Sequence, residues 1–133
     1  MYPTETDTKI AAALISAHDE NDGNIELESL FWMQTPEVNT AGLLQLAEWR
    51  NANTIEMFLK NGADVNCTDE DAEGLSVLEL VLSGHDGYWR DSHWNSDVFD
   101  VLTKYKVKKE VRQWIIDECC ARAPKYVFDF LQR

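Results

Sequence analysis

The sequence has no apolar run approaching the roughly 20 residues that a membrane-spanning helix needs. Its start, Met1-Tyr2-Pro3-Thr4-Glu5-Thr6-Asp7, has neither the basic flank nor the apolar stretch of a secretory signal. Cysteine is sparse and odd in number, at three, and Cys119 and Cys120 are neighbours that point apart on a helix. Reduced thiols and a cytoplasmic location are therefore expected, not a disulfide framework. A glycine-rich phosphate loop, a nucleophile elbow and a Cys–His motif are all missing, so neither catalysis nor a bound cofactor is expected.

Positive charge is also scarce. Twelve Lys and Arg stand against 24 Asp and Glu, for a net charge of −12. Residues 1–100 hold 20 acidic and 4 basic side chains, whereas residues 101–133 hold 4 acidic and 8 basic. The acidic part repels nucleic acid and anionic lipid and attracts a basic partner; the same excess of charge also keeps a small protein in solution. Lys104, Lys106, Lys108 and Lys109 form the one basic run, which serves either the end of a preceding helix or an acidic partner.

What is present is the material of one folded domain: 133 residues, 44% hydrophobic and 11% aromatic. Apolar residues recur at helical spacing and never alternate for long with period two. Thr8 to His18 reads as a helix with Ile10, Leu14 and Ala17 on one face and Asp7 as cap. A segment from Ile25 to Met33 follows and stops at Thr35-Pro36. Asn39 or Thr40 caps a helix burying Leu43, Leu44, Leu46 and Ala47, and Thr54 caps one burying Ile55, Phe58 and Leu59. Leu75 to Leu82 is another helix. Ser96 or Asp97 starts a helix holding Val98, Phe99, Val101, Leu102 and Tyr105. Val107, Val111, Trp114, Ile115 and Cys119 form one stripe, and Tyr126 to Leu131 a last short helix. Trp32, Trp49 and Trp114 fall within these patterns and are expected in the core. The fold class is all-α, about eight short helices in antiparallel pairs.

The pairs repeat. Gly42-Leu43-Leu44-Gln45-Leu46-Ala47 aligns with Ser76-Val77-Leu78-Glu79-Leu80-Val81 at a spacing of 34 residues. Between them stands Phe58-Leu59-Lys60-Asn61-Gly62-Ala63-Asp64-Val65-Asn66, followed by Cys67-Thr68-Asp69-Glu70-Asp71-Ala72-Glu73-Gly74. This junction resembles that of the ankyrin repeat family, whose period is about 33 residues. Gly62 supplies the positive φ that ends a helix. Asp64 and Asn66 suit bonds to turn amides. The resemblance is clear over 39–82. The family's Thr-Pro-Leu-His is replaced by Gly42-Leu43-Leu44-Gln45 and Ser76-Val77-Leu78-Glu79. It implies a short solenoid of about four repeats: a divergent N-terminal cap at 1–38, two central repeats at 39–105 and a divergent C-terminal cap at 106–133.

In that frame Ser83-Gly84-His85-Asp86-Gly87-Tyr88-Trp89-Arg90-Asp91-Ser92-His93-Trp94-Asn95 is an insertion of about ten residues in a helix–helix turn. His85, Asp86, Asp91 and His93 are metal-ligand types, but their spacing matches no tight signature, and a metal-dependent enzyme is the least favoured reading. Tyr88, Trp89, Arg90 and Trp94 are the residue types of interface hot spots, with folding back beside Val98 and Phe99 as the alternative for the tryptophans. Asp69, Glu70, Asp71 and Glu73 make an acidic finger; the resemblance implies that such fingers line a partner-binding face. The expectation is a protein–protein interaction module, monomeric alone. It would act as a small inhibitor or immunity-type protein that occludes a basic partner, such as a nuclease, a toxin or a nucleic-acid-binding enzyme. A general adaptor or assembly subunit is the alternative.

Overall fold

The computed structural model describes residues 3–21, 25–84, 94–120 and 122–132. The described residues form eight α-helices: α1 (Glu5–Glu20), α2 (Leu27–Phe31), α3 (Pro36–Leu46), α4 (Ala52–Lys60), α5 (Val77–Ser83), α6 (Ser96–Lys104), α7 (Gln113–Cys120) and α8 (Lys125–Gln132). The fold is all-α apart from one small ribbon, in which β1 (Thr68–Asp69) pairs antiparallel with β2 (Leu75–Ser76), Thr68 opposite Ser76 and Asp69 opposite Leu75.

The helices α1, α3, α4 and α6 begin earlier than the apolar pattern suggests. The Thr4 hydroxyl accepts from the Asp7 amide at 3.1 Å, and the Asp7 carboxylate accepts from the Thr4 amide at 2.8 Å, a reciprocal capping box. Thr35 caps α3 with Pro36 in the first turn, and Asn51 caps α4 by accepting from Thr54 N. Asn95 caps α6 by accepting from Asp97 N. The expected caps Asp7 and Thr54 are thus the residues whose amides are capped; the cap itself lies three positions upstream. Asn39 and Thr40 lie inside α3, both fully buried. The Asn39 amide closes the α2–α3 turn by donating to the Phe31 and Thr35 carbonyls, and Thr35-Pro36 starts a helix instead of ending one.

The helices fall into two rows. α1, α3, α5 and α7 pack in succession, and α2, α4, α6 and α8 pack in succession beside them. The rows meet on a core that includes Phe31, Leu43, Ile55, Phe58, Val77, Leu78, Val81, Leu102, Ile115 and Phe130, all at most 1% exposed. Each such side chain contributes about 1.5–3 kcal/mol by leaving water. Gly42 sets the closest approach. A Cβ there would meet the Phe58 ring at 2.5 Å and the Phe31 ring at 3.1 Å, and those two rings meet edge to face with centroids 4.8 Å apart.

Three expected core residues are on the surface. Trp32 is 60% exposed, Trp49 47% and Trp114 47%. Trp32 lies just past the end of α2, and Trp49 ends the 3-10 turn Ala47–Trp49 after α3. Trp114 is one step off the buried Ile115 in α7, which starts at Gln113 and leaves Val107 and Val111 in the irregular segment before it. In α1 the buried residue is Ala11, and Ile10 is 38% exposed.

Candidate functional site

The finger follows from its turn residues. Gly62 at φ +100° ends α4, with Ala63 N donating to Phe58 O. Asp64 N donates to the Thr40 hydroxyl at 2.9 Å, which ties the departing chain to α3. The Asp64 carboxylate accepts from Asn66 N at 2.9 Å, and the Asn66 side-chain oxygen accepts from Lys108 N at 2.8 Å. Glu73 and Gly74 are consecutive left-handed residues, φ +58° and +72°, which turns the tip of the ribbon back.

Arg112 and Glu79 tie the turn of the finger to the first turn of α5. The Arg112 guanidinium donates to Glu73 O at 3.0 Å and Gly74 O at 2.6 Å, and its Nε lies 3.4 Å from the Glu79 carboxylate. Glu79 is buried. One of its oxygens accepts from Ser76 N at 3.1 Å, completing a capping box on α5, and the other accepts from Arg112 N at 3.0 Å.

A groove of about 620 Å³ runs between the finger and α1. Its floor is apolar, built from Ala41 and Leu44 of α3. Glu5, Thr8 and Lys9 form one wall, Thr68, Asp69 and Glu70 the other. Gln45 holds the α1 wall in place by donating to Thr8 O at 3.1 Å. Lys9 pairs with Glu5 at 3.2 Å, both largely exposed. The expected finger residues Asp69 and Glu70 therefore face this groove, and Glu73 is exposed at the ribbon turn. The Asp71 side chain lies outside the described residues. Glu5 and Lys9 escaped sequence reasoning, because only the packing of α1 on α3 carries them to the finger.

Trp94 sits at the other end of α5, about 10 Å away along a seven-residue helix. Its ring stacks on Phe99 at 6.3 Å and lies over the Arg50 guanidinium at 3.6 Å. Arg50 is 3% exposed with φ +56°; its Nε donates to Val81 O at 2.7 Å and its Nη2 to Leu82 O at 3.1 Å. This buried cation satisfies carbonyls in the last turn of α5, where the helix dipole favours positive charge. A lone arginine in an acidic stretch was the only sequence sign of it. Gly84 closes the turn against Arg50, at φ +69°, where any Cβ would strike the guanidinium. The finger and Trp94 are thus separate places. Tyr88, Trp89 and Arg90, and the metal-type residues His85, Asp86, Asp91 and His93, lie outside the described residues.

Among the described residues, no group of three or more His, Cys, Asp or Glu could hold a metal ion, and no helix is long and apolar enough to cross a membrane. Cys67 and Cys119 are buried thiols. Burial, and then the Asp64 carboxylate, push the Cys67 thiol above its ordinary value, so it is a poor nucleophile. Compared with family models, with curated proteins and with solved structures, the chain matches none.

Proposed function

We propose that this chain is a non-catalytic binding module: a short ankyrin-like solenoid whose acidic groove engages and occludes a basic surface on a partner protein. The observation that carries this reading is the groove itself, with an apolar floor at Ala41 and Leu44 and the carboxylates Glu5, Asp69 and Glu70 on facing walls. The acidic excess of residues 1–100 extends the same sign over the surroundings, which speeds encounter with a cationic partner and disfavours nucleic acid. The partner class that fits is a nuclease, a toxin or another nucleic-acid-binding enzyme, with this chain as its inhibitor or immunity-type protein.

The test starts with affinity capture of the partner from native lysate and its identification by mass spectrometry. Association rates are then measured between 50 and 300 mM salt, values chosen to span about a 2.4-fold change in Debye length. Glu5→Gln/Asp69→Asn/Glu70→Gln should slow association and flatten its salt dependence. A salt-independent rate that the triple variant leaves unchanged would remove the reading. The exposed Trp32 and Met33, 60% and 76% accessible, favour a second reading as a subunit of a larger assembly. In that case Trp32→Ala/Met33→Ala abolishes capture and the groove variant does not.

A further inference from the structure

We propose that Lys9 is an internal placeholder: on Glu5, its ammonium occupies the position that a lysine or arginine side chain from an extended cationic segment of the partner takes in the complex. This deepens the binding reading above and rests on it. Lys9 lines the groove with its nitrogen 3.2 Å from the Glu5 carboxylate. At the rim of the groove, largely in solvent, one ammonium on a flexible aliphatic stem thus already pairs with a lining carboxylate. Among the described residues, Lys9 has no ion-pair partner besides Glu5, and the side chain of Glu70 across the groove has no ion pair or hydrogen bond.

The groove is larger than one side chain requires. At about 620 Å³ it has room for several, so the fitting occupant is a stretch of chain, not an isolated residue. Stems would lie on Ala41 and Leu44, and heads would reach Glu5 on one side and Asp69 or Glu70 on the other. The three carboxylates outnumber the one cation in the lining, so the local charge matches a cationic segment and opposes an anionic one. Displacing Lys9 costs little, because the Lys9 and Glu5 side chains are 76% and 84% exposed and exposed pairs are weak.

The consequence runs against the usual expectation for a residue in a binding groove: removing Lys9 should improve binding. The test uses the full chain and the capped peptide acetyl-Arg-Arg-Arg-amide, titrated by calorimetry at 20 mM salt, with its citrulline counterpart as the neutral control. Lys9→Met should tighten binding by about twofold to fivefold, and Glu5→Gln should weaken it by a similar factor. Lys9→Arg should leave it near wild type. The citrulline peptide should not bind. Unchanged or weaker binding by Lys9→Met overturns the placeholder role. If Asp69→Asn/Glu70→Gln still weakens binding in that case, the acidic groove stands without it. If no groove variant alters binding, both readings fall. Thermal unfolding of each variant separates these results from misfolding, and both side chains are exposed enough to expect shifts below about 2 °C.

Discussion

Replacing Arg50 by alanine tests the least conspicuous cation in the fold. The side chain is 3% exposed, donates to two carbonyls of α5 at 2.7 and 3.1 Å, and stacks on Trp94 at 3.6 Å. Truncation leaves those acceptors unpaired in a buried place, at about 1–3 kcal/mol each. It also removes a desolvated cation–π contact of up to about 2 kcal/mol and opens a cavity. Release of the arginine's own desolvation cost offsets part of this, so the expected loss is about 3–5 kcal/mol. In urea, with a slope near 2 kcal/mol per molar, the midpoint should fall by about 1.5–2.5 M. Arg50→Lys keeps the charge but not the fork, and should lose roughly half as much. Gly84→Ala supplies the coupling. Alone it meets both the guanidinium and a φ of +69°, whereas in the Arg50→Ala background only the backbone strain remains. A midpoint drop below about 0.5 M for Arg50→Ala at unchanged slope, or strict additivity with Gly84→Ala, would falsify the clamp.

Gly42→Ala sets helix propensity against packing. Alanine gains about 1 kcal/mol in a helix, but its methyl would sit 2.5 Å from the Phe58 ring, so a net loss of about 1–3 kcal/mol is expected in urea unfolding. Glu79→Gln removes the charge that Arg112 N and Nε approach in a buried site, and should cost about 1–3 kcal/mol; a stable variant would show that the capping bond to Ser76 suffices. The Asn61 amide, and then Lys60, hold the Glu28 carboxyl below its usual range. That stabilisation is present above the unfolded value and is lost as pH falls through the lower, folded one; Glu28→Gln should therefore flatten the acid limb of a melting-temperature profile and leave the alkaline limb unchanged.

The helices were legible because each carries its own apolar spacing, and the junction from Gly62 to Asn66 was legible because glycine and asparagine declare a turn locally. The caps lie upstream of the polar residues that stand nearest the apolar runs. A cap reaches three residues forward, to amides such as those of Asp7 and Thr54. The finger's acidic residues were legible as a run of carboxylates in the ankyrin-like junction before Gly74. Their groove was not, since its other wall comes from Glu5 and Lys9, some 60 residues earlier in the chain. The start of α7 was missed for a similar reason: Lys108 N and Arg112 N bond to Asn66 and Glu79, partners that no local window contains. The exposed tryptophans show that apolar spacing gives only an approximate direction, and a one-step offset carries Trp114 from core to surface.

The two-row packing has a mechanical consequence. Within each row the helices pack in chain order, so if the chain is the solenoid proposed above, its junctions work like links in series. Parting one link would then leave two blocks that each keep their own row neighbours. Opening under force or protease should therefore proceed in steps from an end. The Arg50 clamp on the last turn of α5 and the Arg112 brace on its first turn are where such a tear should pause.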